Sequence, residues 1–408
     1  MYDRPDDILL SMESISLYLH IPFCKHRCSY CDFNTYAGLE QFIPSYVNAL
    51  CKELHFLASS VDQSLPVHTV YFGGGTPSLL TVQQVEKILQ TININFTLLG
   101  GAEISFEANP GTLTANYLHG LRDLGVNRLS LGMQSAHSAE LRLLERIHNY
   151  FEVIDSVKWA RQAGFDNINL DLIFGIPGQS LSQWRRSLEL ALGLSPEHLS
   201  LYSLTIEDGT RIERWENRGL LSEVETDLVA DMYELAEGIL DQAGYQSYEI
   251  SNWARYDAEG NLNACRHNLQ YWRGKSYLGL GAGAHGYVNH IRTVNVLVPG
   301  IYINKMEKTD NIQNYSFPIT PATIQQTYID PVEEMGEFMM MGLRLTLEGV
   351  SERVFTERFG SSLEEIYYKQ IQQLIGQGLL EWTGNQERNL RITKRGRLLG
   401  NRVFREFI

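Results

Sequence analysis

Tyr18-Leu-His-Ile-Pro-Phe-Cys24-Lys-His-Arg-Cys28-Ser-Tyr-Cys31 is the stretch on which the reading of this chain turns. It opens inside a short apolar run, Ser16 to Ile21, with the composition of a strand covered on both faces, and closes in cysteines spaced Cys-x3-Cys-x2-Cys. Similar runs recur at Thr69 to Phe72, Glu103 to Glu107, Arg128 to Gly132, Asn169 to Phe174, His198 to Leu204 and Tyr248 to Ser251. Stretches of helical period separate them, such as Tyr46 to Ala58, where Val47, Leu50, Leu54 and Leu57 share one stripe, and Val82 to Leu89. The alternation predicts an α/β fold with a parallel sheet, which right-handed crossovers curl into a full or partial barrel. The cysteine loop then follows the first strand, at the end where such sheets bind ligands.

From Ala258 to Thr327 the pattern loosens, with Asn261, Gly274, Gly279, Gly281, Gly283, Pro299, Pro318 and Pro321 breaking any long period. Helical signals return in Val332 to Leu345, Glu352 to Phe359 and Leu363 to Leu374, followed by a strand pair near Leu379 to Trp382 and Leu390 to Thr393 and a last helix from Lys394. Residues 1–257 are therefore expected as the barrel, 258–330 as a junction and 331–408 as a winged-helix-like α+β domain.

The 408 residues are 44% hydrophobic and 20% charged, enough apolar surface for packed cores and against extensive disorder. A net charge of −14 opposes partners gripped through phosphates, so specific nucleic-acid binding is not expected. The cations Arg388, Arg391, Lys394, Arg395, Arg397, Arg402 and Arg405 near the carboxyl terminus depart from that balance, and suit an acidic protein partner or anionic lipid headgroups at a membrane periphery. Asp3, Asp6 and Asp7 stand where a signal peptide would carry positive charge, and no run of about eighteen apolar residues occurs. Cytoplasm is the expected compartment.

Of five cysteines, Cys24, Cys28 and Cys31 crowd together while Cys51 and Cys265 stand alone, which reads as a metal site and not as a disulfide framework. Three thiolates can hold a [4Fe–4S] cluster and leave its fourth iron open to chelate S-adenosylmethionine (SAM) and pass it one electron. The alternative is a zinc knuckle completed by His20, His26 or Cys51. A second landmark, Tyr71-Phe-Gly73-Gly74-Gly75-Thr76-Pro77, has glycines that permit close backbone approach at the end of the next strand.

These motifs resemble the radical SAM superfamily, and the run Leu-His-Ile-Pro-Phe-Cys resembles its oxygen-independent coproporphyrinogen III oxidase group. The resemblance implies that Cys24, Cys28 and Cys31 ligate the cluster, that Tyr30 lies against the adenine and Tyr18 near the methionyl end of SAM, and that Gly74, Gly75 and Thr76 receive its amino group. It further implies that Glu107, Gln134, Arg146 and Asp171 contact the ribose hydroxyls, a carboxylate or a second SAM.

Within that group the oxidases carry a further cysteine two residues after the third, where this chain has Phe33, and a long extension before the first strand, where it has about thirteen residues. Both departures resemble the heme-chaperone branch, as does Cys265-Arg-His267-Asn268-Leu-Gln-Tyr271-Trp272, a match to His-Asn-x-x-Tyr-Trp. This implies heme as ligand and a heme-accepting protein, such as a respiratory one, as partner. His267 is the candidate axial ligand, Cys265 a weaker one, and a packed loop in which His267 caps backbone the alternative. The run Tyr277-Leu-Gly-Leu-Gly-Ala-Gly-Ala-His285-Gly286 lacks the setting of a dinucleotide fingerprint, and His285 is read as structural.

Overall fold

The computed structural model describes residues 14–308, 315–384 and 387–408; the acidic opening residues lie outside that range. Strand β1 (Ile15–Ile21) leads into a short parallel pair, β2 (Phe23–Cys24) and β3 (Tyr36–Ala37), and helix α1 (Ile43–Ser59). There follow β4 (Pro66–Gly74), α2 (Val82–Asn95), β5 (Thr97–Ala108), α3 (Ala115–Asp123), β6 (Arg128–Gln134), α4 (Ser138–Leu143), α5 (Tyr150–Gln162), β7 (Ile168–Phe174), α6 (Leu181–Leu192), β8 (His198–Ser203), α7 (Arg211–Asn217) and α8 (Thr226–Gln242). Strands β1, β4, β5, β6, β7 and β8 pair in chain order and in parallel, a partial (βα)6 barrel.

Local chemistry starts the helices. Thr81, Asn149 and Ser180 each cap a first turn and are capped in return by Gln84, Glu152 and Gln183. Outward strand residues such as Leu17, Leu19, Val70, Phe72, Leu129 and Leu170 are buried beneath those helices. Inward positions are polar: Tyr18, Tyr71 and Ser105 align across neighbouring strands, as do Glu107, Ser130, Asn169 and His198. The strands therefore read as less than uniformly apolar because the barrel holds a polar lumen.

The stretch 258–330, expected as a loose junction, is largely part of the same sheet. Beyond β8 the antiparallel strands β9 (Gln246–Glu249) and β10 (Asn252–Ala254) close one flank. After helix α9 (Arg266–Trp272), strand β11 (Tyr277–Leu280) pairs in parallel with β1, and β12 (His285–Val288), β13 (Ile291–Asn295) and, past α10 (Pro299–Lys308), β14 (Thr323–Tyr328) extend the other flank to twelve strands. The glycines that suggested breakers mark crowded backbone: a Cβ on Gly279 would overlap the His285 carbonyl oxygen, and Gly281, at φ +98°, sits against Tyr46. The fully buried Glu53 of α1 fastens this flank, accepting from Gly281 N at 2.8 Å, Asn295 at 2.8 Å, Tyr302 at 2.7 Å and Thr320 at 3.0 Å.

The carboxyl-terminal domain comprises α11 (Pro331–Gly342), β15 (Val350–Ser351), α12 (Glu352–Phe359), α13 (Leu363–Gly376), β16 (Leu380–Thr383), β17 (Asn389–Ile392), α14 (Lys394–Leu398) and α15 (Gly400–Phe404). Its helices and three-stranded sheet enclose a separate core around Met339, Phe355, Ile371 and Leu390. Arg344 joins the domains, its guanidinium 5.4 Å from the Trp272 ring and 4.7 Å from Phe404. Arg388, Arg391, Lys394 and Arg397 pair with Glu352 and Glu364, Glu381, and Glu237, so the terminal cations form less free positive surface than their number suggests. Among the described residues no helix is long and apolar enough to cross a membrane.

Candidate functional site

The cysteine loop lies where the first strand placed it, at the carboxyl end of β1. All five cysteines are free thiols; Cys24 is buried and Cys28 and Cys31 partly so. Each loop sulfur meets a polar neighbour: Thr76 Oγ1 donates to Cys24 at 3.5 Å, Arg146 Nη1 donates to Cys28 at 3.3 Å, and Thr35 Oγ1 lies 3.6 Å from Cys31. Gly75 N to Ile21 O and Thr76 N to Phe23 O, at 2.9 and 2.8 Å, lock the glycine run onto the base of the loop. Burial pushes the Cys24 thiol up to about 11, and the neighbouring Cys31 and Cys28 add to the rise. A cationic iron core would supply the charge that lets all three ionise.

The zinc alternative finds no good fourth ligand. Both His20 nitrogens are held, by Tyr18 OH and by Asn34 O, each at 3.0 Å. Cys51 lies on α1 against Lys87 O, and His26 faces Glu145 at 3.6 Å. Among the described residues no three His, Cys, Asp or Glu side chains are arranged to hold one metal ion. A cubane cluster needs one sulfur on each of three irons, and three free thiols on one loop with polar donors beside them fit that group.

Of the remaining expected residues, Glu107 and Gln134 lie at the carboxyl ends of β5 and β6, Gly74 to Thr76 at and just past the end of β4, Tyr30 and Arg146 in loops, and Tyr18 and Asp171 within β1 and β7. Gly74, at φ +112°, has no room for a side chain, since a Cβ would come within 2.6 Å of the His20 ring; the same holds at Gly75, 2.7 Å from Phe23 O. Packing within the protein thus already requires these glycines. Gly74 N donates to Glu107 at 3.1 Å and Tyr71 OH to its other oxygen at 2.7 Å. Burial pushes the Glu107 carboxyl up to about 7, against the Tyr71 hydrogen bond and with a further rise from Asp171. Ser130 at 2.9 Å and Asn169 at 2.8 Å hold Asp171, which burial also pushes up. Gln134 takes a left-handed φ of +62° beside an irregularity in β6. Arg146 spans Cys28 and Gly132 O, and its buried Nε has no partner, which leaves guanidinium N–H groups for an anion. Tyr30 packs on the cluster of Leu144, Ile173 and Ile176, while Tyr18 stacks on Tyr71 at 6.2 Å.

His267, the candidate iron ligand, adjoins Tyr18 and Tyr71 from the other end of the barrel and is engaged by protein partners. It is 1% exposed on α9, Nδ1 bonded to Thr69 at 2.8 Å, Nε2 to Tyr271 OH at 2.9 Å, and the ring stacked on Tyr71 at 4.9 Å. Both ring nitrogens thus have protein partners. Its backbone N donates to the buried Glu103, which also accepts from Arg266 N and the Cys265 thiol, so the segment packs at the barrel floor as helix α9 and not as a loop. Burial, then Glu103, pushes Cys265 up to about 12, which disfavours the thiolate needed for ligation. Sequence reasoning passed over Tyr71, the residue shared by Glu107 and His267, and Tyr202, 42% exposed on β8. Both were legible as polar positions two apart from other lumen residues.

A barrel with a cysteine loop after its first strand and a lumen of carboxylates and tyrosines defines a radical SAM protein, and residues 18–191 match the Radical SAM superfamily while 329–399 match the HemN C-terminal domain. The chain is 38% identical over 394 residues to the heme chaperone HemW of Bacillus subtilis, covering 96% of this chain and 99% of that protein. It is 34% identical over 404 residues to the heme chaperone HemW of Escherichia coli, covering 98% and 100%. The chain belongs to the HemW family. The structure of the Escherichia coli coproporphyrinogen III oxidase HemN, a radical SAM enzyme, superposes with a TM-score of 0.79 at 21% identity over 98% of this chain and 92% of that one, a likeness of fold.

Proposed function

We propose that this protein binds heme and passes it to an acceptor protein, carrying a [4Fe–4S] cluster on Cys24, Cys28 and Cys31 and SAM at the barrel mouth. The observation that carries the reading is near full-length likeness to curated heme chaperones, joined to a loop of three free thiols with Phe33 where the oxidase pattern has a further cysteine. When bound, the cluster supplies one open iron site and one electron at low potential. The protein's own residues do the positioning. Arg146 screens the Cys28 sulfur and offers its unpartnered Nε–H to a carboxylate. Glu107 and Asp171 present acceptors toward ribose hydroxyls, and Tyr30 offers a flat face at the mouth. Gln134 reaches into the same end from its strained turn. Free thiols suit a reducing compartment, so we place the protein in the cytoplasm, with a respiratory acceptor and contact at the membrane periphery as its partners.

The test is one anaerobically reconstituted sample assayed for heme binding and for coproporphyrinogen III decarboxylation with SAM and a reductant. Stoichiometric heme without protoporphyrinogen supports the chaperone. Multiple turnovers to protoporphyrinogen without heme binding would replace it by the decarboxylase.

A further inference from the structure

With His267 sealed in the floor, the geometry points to His285 as an axial ligand of the heme iron, with the exposed side chains of Phe33, Leu297 and Val298 receiving the porphyrin face. The inference rests on the heme-chaperone reading above. His285 opens β12 directly after the glycine-rich turn. Tyr18 lies opposite Gly279, and Tyr277 opposite Tyr287, so the antiparallel register sets His285 beside Gly279 on the lumen-facing side. The His285 carbonyl oxygen occupies the place a Gly279 side chain would take, which draws this backbone over the sheet toward Tyr18. His285 and His20 are close enough to interact electrostatically.

The ring of His285 is uncommitted. The residue is exposed, and among the described residues neither nitrogen makes a hydrogen bond. Partial burial and the Arg292 charge lower its pKa, so the imidazole is neutral with a free lone pair near pH 7. Other histidines are engaged: His20, His198 and His267 use both nitrogens, His137 and His148 each bond a backbone carbonyl through Nε2, His55 bonds Asn95, His68 bonds Ser16, and His290 faces Glu334. His119 lies on outer helix α3, which leaves His26, beside Glu145, as the competitor at the mouth.

The surroundings match the rest of a heme. Phe33, Leu297 and Val298 are 63%, 48% and 43% exposed. Asn34 donates to Ala282 O and Leu297 O, both at 3.0 Å, and so binds the Phe33 loop to the turn that carries His285. Lys25 and the Phe33 O-bound Arg27 are exposed cations on that loop, suited to propionates within a chain of net charge −14.

The experiment titrates hemin into the full-length, cluster-loaded chain and records the Soret band and low-temperature electron paramagnetic resonance spectrum. His285→Ala should lose the imidazole-ligated signature and weaken binding at least about tenfold, with cluster absorbance and circular dichroism unchanged. Added imidazole should restore the spectrum, and His26→Ala should keep it. If the parent binds heme and His285→Ala matches it in spectrum and affinity, or if His26→Ala alone loses the signature, the assignment to His285 is overturned while the chaperone reading stands. If the parent binds no heme, the chaperone reading falls and takes the assignment with it.

Discussion

Replacing His267 by alanine separates a structural role from a ligand role. The change removes a ring that is 1% exposed and bonded at both nitrogens. Thr69 keeps a second partner in Ser16 at 2.7 Å, whereas the Tyr271 hydroxyl is left in a buried site without its bond to His267. Leaving that hydroxyl unpaired costs about 2 kcal/mol. Loss of the 4.9 Å stack on Tyr71 and the edge contact with Tyr271 adds about 1 kcal/mol. The vacated ring volume adds about 1 kcal/mol where α9 and the strands fail to close over it. The sum, about 4 kcal/mol, is a large part of the roughly 5–15 kcal/mol that holds a typical domain folded. Urea unfolding of the apo chain followed by circular dichroism should show the midpoint falling at nearly unchanged slope. The heme spectrum should persist at temperatures where the variant is folded. A midpoint equal to the parent's, or a normally stable variant that loses the heme spectrum, would refute the reasoning and return His267 to the iron.

Serine at Cys24, Cys28 or Cys31 should abolish the charge-transfer absorbance and most bound iron; four irons per chain retained in any one variant would contradict the cluster assignment. Glu53→Ala strips four buried donors of their acceptor and should destabilise by about 4 kcal/mol or prevent soluble expression, with Glu53→Gln milder, as read by chemical denaturation. Burial lowers His267 to about 3, His148 to about 4, and His198 well below 6.5, so the unfolded chain takes up protons that the folded one refuses as pH falls below 6.5. Each such histidine removes stability on acidification. Glu107 and Glu249, raised to about 7, act with the opposite sign between pH 7 and 4.5 because there the folded chain holds the extra proton. Glu107→Gln should therefore steepen the loss between pH 6.5 and 4.5, by up to about 1.4 kcal/mol per pH unit, in urea melts at stepped pH; an unchanged slope would show Glu107 ionised in the fold.

The barrel was legible because buried parallel strands announce themselves locally: the expected run Asn169 to Phe174 differs from β7 by one residue at its start. Helix α12 spans Glu352–Phe359 as its apolar spacing predicts. The place of the cysteine loop after the first strand was legible too, since it is a property of one short segment. The β11 to β14 flank was not legible, because its strands are short and its glycines answer to distant neighbours, Gly281 to Tyr46 and Gly283 to Asn34. The surroundings of His267 and His285 were hidden for a related reason. A histidine between aromatic residues looks the same in sequence whether the rings flank a ligand or one another, and only tertiary contacts tell which nitrogen is free.

The two recognisable stretches, 18–191 and 329–399, invite treatment as interchangeable modules. The sheet argues against any such transplant. Between them lie β8, the floor helix α9, and β11, which pairs with β1, the very strand that presents the cysteine loop. Cutting at residue 191 would strip β1 of one neighbour and turn it into a frayed edge, and cutting at 329 would bare Trp272 where Arg344 now covers it. Chimeras that exchange cargo specificity should therefore inherit residues 14 to 328 as one piece, with the graft made on the outer face of the terminal domain.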